Sequence, residues 1–79
     1  MQIISASDFG VLIKKTRKMS YLTQAELAAA SGVGERFIRE LEKGKPTCQL
    51  EKALLIAQML GIKLEALTPI LNEQASHEE

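Results

Sequence analysis

The stretch TQAELAAASGVGERFIRELEKGKPT, residues 23–47, decides how this chain is read. Thr23 and Glu26 have the S/T-x-x-E spacing of a capping box, in which each side chain satisfies a backbone N–H near the start of a helix. The helix that opens there is short and ends about Ala30, with Leu27 and Ala28 facing inward and the alanine allowing close approach of another helix. Gly32 can adopt φ > 0 without a Cβ penalty, and Val33 places an apolar anchor inside the turn. A second helix begins beyond Gly34 and runs to about Lys43, with Ile38 and Leu41 on its buried side. Gly44 and Pro46 stop it, and Lys43 favours the negative end of its dipole.

Two short helices joined by a glycine-containing turn describe a helix-turn-helix. The pattern is demanding, because Leu27, Ala28, Gly32, Val33, Ile38 and Leu41 must each be apolar or small for the helices to cross, and all six comply. The outward face of the second helix carries Glu35, Arg36, Arg39 and Glu40.

Upstream, a helix starts at Ser5, whose hydroxyl can accept from the Asp8 N–H, and Phe9, Leu12, Ile13 and Thr16 form its apolar stripe. Lys14, Lys15 and Lys18 point away from that stripe as a solvated face. Downstream, a fourth helix follows Thr47 with Leu50, Ala53, Leu54, Ala57 and Leu60 on one stripe, closed by Gly61. Leu55, Ile56 and Met59 fall outside the stripe, so this helix has more apolar surface than one core-facing side needs. IKLEALTP, residues 62–69, reads equally as a strand or a helical turn, and residues 70–79 are expected to be an acidic, unstructured tail.

The 79 residues leave room for one domain, here 1–69, near the lower limit at which one core suffices, so self-association is expected. The single cysteine, Cys48, cannot form an internal disulfide, and with His77 it cannot assemble a metal site of the usual ligand count. Cys48 is read as a small packing residue and His77 as a solvated side chain. No Ser, Cys or His has an activating neighbour, so neither enzyme activity nor a cofactor is expected. The start, MQIISASDFG, has no basic segment leading into an apolar run, and no stretch reaches the roughly 18 apolar residues of a membrane span. A cytoplasmic protein without a membrane partner is expected. The net charge of zero hides an asymmetry: residues 1–61 hold nine Lys/Arg against six Asp/Glu, and residues 62–79 hold one against four.

The patterns T-Q-x-E-L-A-x-x-x-G-V and I-x-x-L-E-x-G within residues 23–44 resemble the DNA-binding core of the lambda repressor/Cro/XRE regulators, and the resemblance covers about residues 7–61. It implies an all-α, compact four- to five-helix domain that binds double-stranded DNA through the second helix of the motif. By that resemblance Glu35, Arg36, Arg39 and Glu40 read bases in the major groove, an arginine fork suiting guanine O6 and N7 and a glutamate accepting from cytosine N4. Gln24, Lys43 and Lys45 contact phosphates, although dipole capping and solubility account for Lys43 equally well. Arg17 and Glu42 stand where the family pairs a basic residue of helix one with the Glu ending the recognition helix, a structural role. Phe37 could touch a thymine methyl or cover the end of helix one. Two departures are Gly34, where a Ser or Thr often caps the recognition helix, and Ser31, at a usually apolar turn position.

Within the family, the layout IISASDFGVLIKKTRK, GERFIRELEKGKPT and LGIKLEALTP is similar to small HipB-like antitoxins. That implies a homodimer on a palindromic operator, a HipA-type kinase toxin as partner, and residues 62–69 as a short strand in an intersubunit β-element. Leu55, Ile56, Met59 and Leu64 are the expected dimer contacts. The alternatives are a stand-alone or phage-type repressor without a toxin, and a protein-interaction module using the same fold.

Overall fold

The computed structural model describes residues 1–69, and among these the chain forms four helices and no strand: α1 Ala6–Met19, α2 Gln24–Ser31, α3 Glu35–Glu42 and α4 Leu50–Met59. The acidic segment 70–79 lies outside the described residues. No described helix is long and apolar enough to cross a membrane.

The local signals explain most boundaries. Ser5 Oγ accepts from Asp8 N at 3.0 Å while Ile4 N donates to Asp8 Oδ2 at 3.1 Å, so the first turn of α1 satisfies two backbone donors through side chains. At its other end Tyr21 N donates to Lys18 O and Leu22 N to Arg17 O, with Tyr21 in the left-handed region at φ 60°. A non-glycine residue there costs about 1–2 kcal/mol. Leu22, packed against the core, gives the apolar contact that such helix ends commonly carry.

The capping box of α2 is complete: Glu26 N donates to Thr23 Oγ1 at 3.0 Å, and Thr23 N donates to Glu26 Oε1 at 2.8 Å. Gly32 at φ 74° ends the helix, and Val33 N closes the turn on Ala28 O. Gly34 caps α3 without a side-chain bond. The Ser31 hydroxyl is buried without a hydrogen-bond partner among the described residues, consistent with a position that more commonly takes an apolar side chain.

The core is Ile13 of α1, Leu27 and Ala28 of α2, Ile38 and Leu41 of α3, and Ala53, Ile56 and Ala57 of α4. Helix α3 packs against both α1 and α2, and α2 also packs against α4. The rotation of α4 differs from the stripe expected from sequence. Ile56 has no exposed surface, whereas Leu50 is 71% exposed and Leu54 43%. Almost every direction around α4 is apolar, so periodicity did not fix its phase; the space left by the other helices did. Ile56 is therefore a core residue, not a dimer contact. After Met59, Gly61 at φ 79° turns the chain and Ile62 N donates to Ala57 O at 2.9 Å. Residues 62–68 are neither helix nor strand within the single chain, and a strand there needs a ladder partner that no described residue supplies.

Helix α1 approaches the end of α3 closely. A Cβ on Gly10 would lie 2.5 Å from Leu41 O and 2.7 Å from Glu42 O, and one on Gly44 would lie 2.7 Å from Ser7 Cα. Gly10 went unnoticed in the sequence, although a glycine inside a helix is a recognised sign of close packing. Propensity alone makes Gly10→Ala stabilising by about 1 kcal/mol. The backbone carbonyls facing it reverse the sign: G10A is expected to destabilise by about 1–3 kcal/mol, the usual cost of overpacking. A urea melt checks this, and an unchanged or raised midpoint would refute the close approach.

Candidate nucleic-acid interface

Helix α3 divides its surface by residue. Ile38 and Leu41 point into the core; Glu42 is buried at the seam with α1; Glu35, Arg36 and Arg39 are exposed, and Glu40 is half-buried. The eight-residue helix is too short to be stable on its own. Its orientation depends on what holds it from below.

The holding contact is polar. Arg17 Nε donates to Glu42 Oε2 at 2.6 Å and Arg17 Nη2 to Glu42 Oε1 at 3.0 Å, a bidentate pair with side chains only 8% and 3% exposed. The remaining guanidinium donor group, Nη1, reaches the Leu22 carbonyl at 2.8 Å. Gln24 Nε2 donates to Glu42 Oε1 at 3.0 Å. One carboxylate thus ties α3 to α1 and to the first residue of α2. Burial pushes the Glu42 carboxyl up, but the bonds from Arg17 and Gln24, with the charges of Arg17 and Lys14, outweigh it and leave the group below the usual carboxylate range. The Glu42 bond raises Arg17 above the ordinary arginine value despite desolvation.

The outer face has its own network. Arg36 Nε donates to Glu40 Oε2 at 3.0 Å, and Lys45 Nζ donates to Glu40 Oε1 at 3.2 Å. Glu35, Arg39 and Lys43 make no side-chain hydrogen bond or ion pair among the described residues. Lys43 is the C-cap of α3, its N–H reaching Arg39 O at 3.2 Å. Phe37 is half-buried against the core, with Lys52 Nζ of α4 5.9 Å from its ring centroid. The ring packs on the core with the Lys52 ammonium above it. Cys48 is half-buried, and its thiol is pushed up by burial and by the Glu40 charge against the opposing charge of Lys45.

The structure thus brings Arg36, Glu40 and Lys45 together, and separately Arg17, Glu42 and Gln24. The links from Gln24 to Glu42 and from Glu40 to Lys45 were not anticipated, because residues 18 and 5 positions apart show no pairing signal in a sequence without helical continuity between them.

The arrangement is that of a helix-turn-helix domain, and the chain belongs to the helix-turn-helix family of lambda repressor/Cro/XRE type, whose model matches residues 13–67. It is 46% identical over 68 residues to the uncharacterized HTH-type transcriptional regulator y4mF of Sinorhizobium fredii (strain NBRC 101917 / NGR234), a match covering 86% of this chain and 90% of that protein. Among solved structures it is similar to HipB in a complex with an O4 20mer, at 23% identity and a TM-score of 0.79, covering 87% of this chain and 97% of that one. A HipB variant with an O2 20mer matches at 25% identity and the same TM-score, covering 87% and 96%. HipB in a HipA-HipB-O2-O3 complex matches at 23% identity and a TM-score of 0.79, covering 87% and 97%.

Breaking one side of a buried pair leaves an uncompensated charge, so Glu42→Ala is expected to cost about 3–5 kcal/mol of stability. The pH dependence gives a second check. A lowered carboxyl contributes stability that is complete above its unfolded-state value and is lost as the pH falls through the folded-state value. Glu42→Gln lacks that contribution, so its melting temperature should fall less than the wild type's between about pH 7 and pH 3. Parallel acid profiles for the two proteins would refute the linkage.

Proposed function

We propose that this chain is a sequence-specific repressor that binds a palindromic double-stranded DNA operator as a homodimer, and that it is the antitoxin partner of a HipA-type kinase toxin. The observation that carries the reading is the anchored α3: a helix fixed from below by Ile38, Leu41 and the Arg17–Glu42–Gln24 network, with Arg36 and Arg39 exposed on its outer face. Such a helix can enter the major groove as a rigid body. The likeness to HipB in complexes with 20mers and with HipA supports the finer assignment.

In this reading the face formed by Glu35, Arg36, Arg39 and Glu40 enters the groove, with arginine forks matched to guanine edges. Lys43 and Lys45 follow the helix at the level of the backbone. Gln24 stands at the start of α2, where free backbone N–H groups favour a phosphate; its bond to Glu42 sets the amide's position. Glu35 is acidic and makes no ion pair among the described residues, so its place is opposite a cytosine amine, away from phosphates. Residues 1–69 are the DNA-binding and dimerisation unit, and 70–79 an acidic extension. The protein works in the cytoplasm, where DNA is available.

Dimerisation uses the apolar surface that α4 and the segment after it leave uncovered. Leu55 is 37% exposed, Met59 47% and Leu64 48%, and Leu64 and Leu54 line one groove with Phe9 and Ala53. Residues 62–69 gain their ladder partner from the second copy.

DNA selected from a random duplex library by the purified protein is expected to contain an inverted repeat whose half-sites lie about one helical turn apart or a multiple of it. Arg39→Ala should weaken binding to that duplex by about 1–3 kcal/mol per half-site and relax preference at one base pair in each. Fluorescence anisotropy measures both, and equal losses on every duplex would deny Arg39 a base-reading role. Sedimentation velocity at micromolar concentration should show a dimer, converted to monomer by Leu55→Asp combined with Met59→Asp; a wild-type monomer would refute this interface.

A further inference from the structure

Glu40 is the least exposed member of the outer face of α3. Its side chain is 28% exposed, against 79% for Arg36 and 45% for Lys45, and each of its oxygens already accepts from a cation: Oε2 from Arg36 and Oε1 from Lys45. The Lys45 backbone N–H also donates to the Glu40 carbonyl at 3.1 Å, so the loop after α3 is folded back on the helix at this residue. A glutamate that reads a cytosine amine must present a free, outward carboxylate. Glu40 is set back and engaged on both oxygens.

The geometry of Arg36 is complementary. Only Nε is held, and the two Nη groups have no partner among the described residues. An arginine recognises a guanine edge with two parallel N–H donors, and the Nη pair is one such edge. A long exposed side chain normally loses rotamer freedom on docking; a bond formed beforehand removes part of that loss.

We propose that Glu40 is a positioning residue of the DNA interface rather than a base reader: it fixes Arg36 with its Nη edge toward the groove and holds Lys45 at the end of the recognition helix for a phosphate. The inference rests on the DNA-binding reading above. It also explains how an acidic residue is tolerated on a face that meets phosphates. Flanked by two cations, Glu40 belongs to a triad of net positive charge, and its bonds to Arg36 and Lys45 keep the carboxyl below the usual range, hence ionised at neutral pH. A single exposed ion pair contributes little, but a carboxylate shared between two cations restricts both together.

The test is a double-mutant cycle on base discrimination. The full chain selects duplexes from a random library, and affinities are measured for the best duplex and for single base-pair changes across it. Wild type, Glu40→Gln, Arg36→Ala and the double variant are compared, with far-UV circular dichroism and melting curves confirming that each is folded. E40Q should relax preference, by roughly tenfold, at the same base pair that R36A relaxes, and the double variant should lose no more than R36A alone. Retained folding with lost discrimination separates positioning from a structural role.

The proposal is overturned if E40Q relaxes a pair that R36A leaves intact, if the two losses multiply, if E40Q leaves every preference unchanged, or if R36A relaxes no pair. A wild-type protein that enriches no duplex would remove the DNA-binding reading itself, an outcome distinct from all four. As a second measurement, Lys45→Met and Glu40→Gln should each alter the salt dependence of binding: K45M lowers the slope by about 2 as one phosphate contact is lost in each subunit of the dimer, and E40Q combined with K45M lowers it no further. A slope unaffected by K45M would overturn the assignment of Lys45.

Discussion

A carboxylate buried under the recognition helix organises this domain. Glu42 ends α3, and its two oxygens receive Arg17 from α1 and Gln24 from α2, so three helices meet on one side chain. Short helices have little intrinsic stability and few contacts with which to resist rotation. Apolar packing of Ile38 and Leu41 holds α3 down, but dispersion is non-directional. A bidentate arginine–carboxylate pair has a fixed fork geometry, and in this fold it fixes the angle at which α3 is presented. The same burial that makes the pair directional makes it costly to break from one side.

The pair can form only because the backbones come close enough. Gly10 places α1 against the final carbonyls of α3, and Gly44 lets the chain leave α3 over Ser7. Two absent side chains are therefore as much a part of the anchoring as Arg17 and Glu42 are. The outer face is ordered by a second shared carboxylate, Glu40, whose partners are exposed. Inner and outer networks lie on opposite sides of one helix, the first deciding where α3 sits and the second how its long cations are arranged.

Helix α4 illustrates where local reasoning stops. Its sequence, LEKALLIAQM, is apolar in almost every direction, and the structure turns Ala53, Ile56 and Ala57 inward while Leu50, Leu54, Leu55 and Met59 remain uncovered. A 79-residue chain has a small core. This uncovered apolar surface is what the proposed dimerisation would bury.

The sequence by itself determined the elements of this protein and the phase of α3. The Ser5 cap, the capping box of α2, the glycine turn and the alternation of Ile38 and Leu41 with charged neighbours are local features, fixed by backbone sterics and helical periodicity, and they are legible within a few residues. The family resemblance marked Arg17 and Glu42 as positions to pair. Only the tertiary structure decided the rotation of α4, the close approach at Gly10, the Gln24 bond to Glu42 and the joining of Glu40 to Lys45. Each depends on where segments distant in sequence, or separated by a turn, stand in space. A helix with more apolar positions than one buried face can hold has no single periodic solution to orient it, and a charged side chain carries no mark of which neighbour will be within 3 Å once the chain has folded.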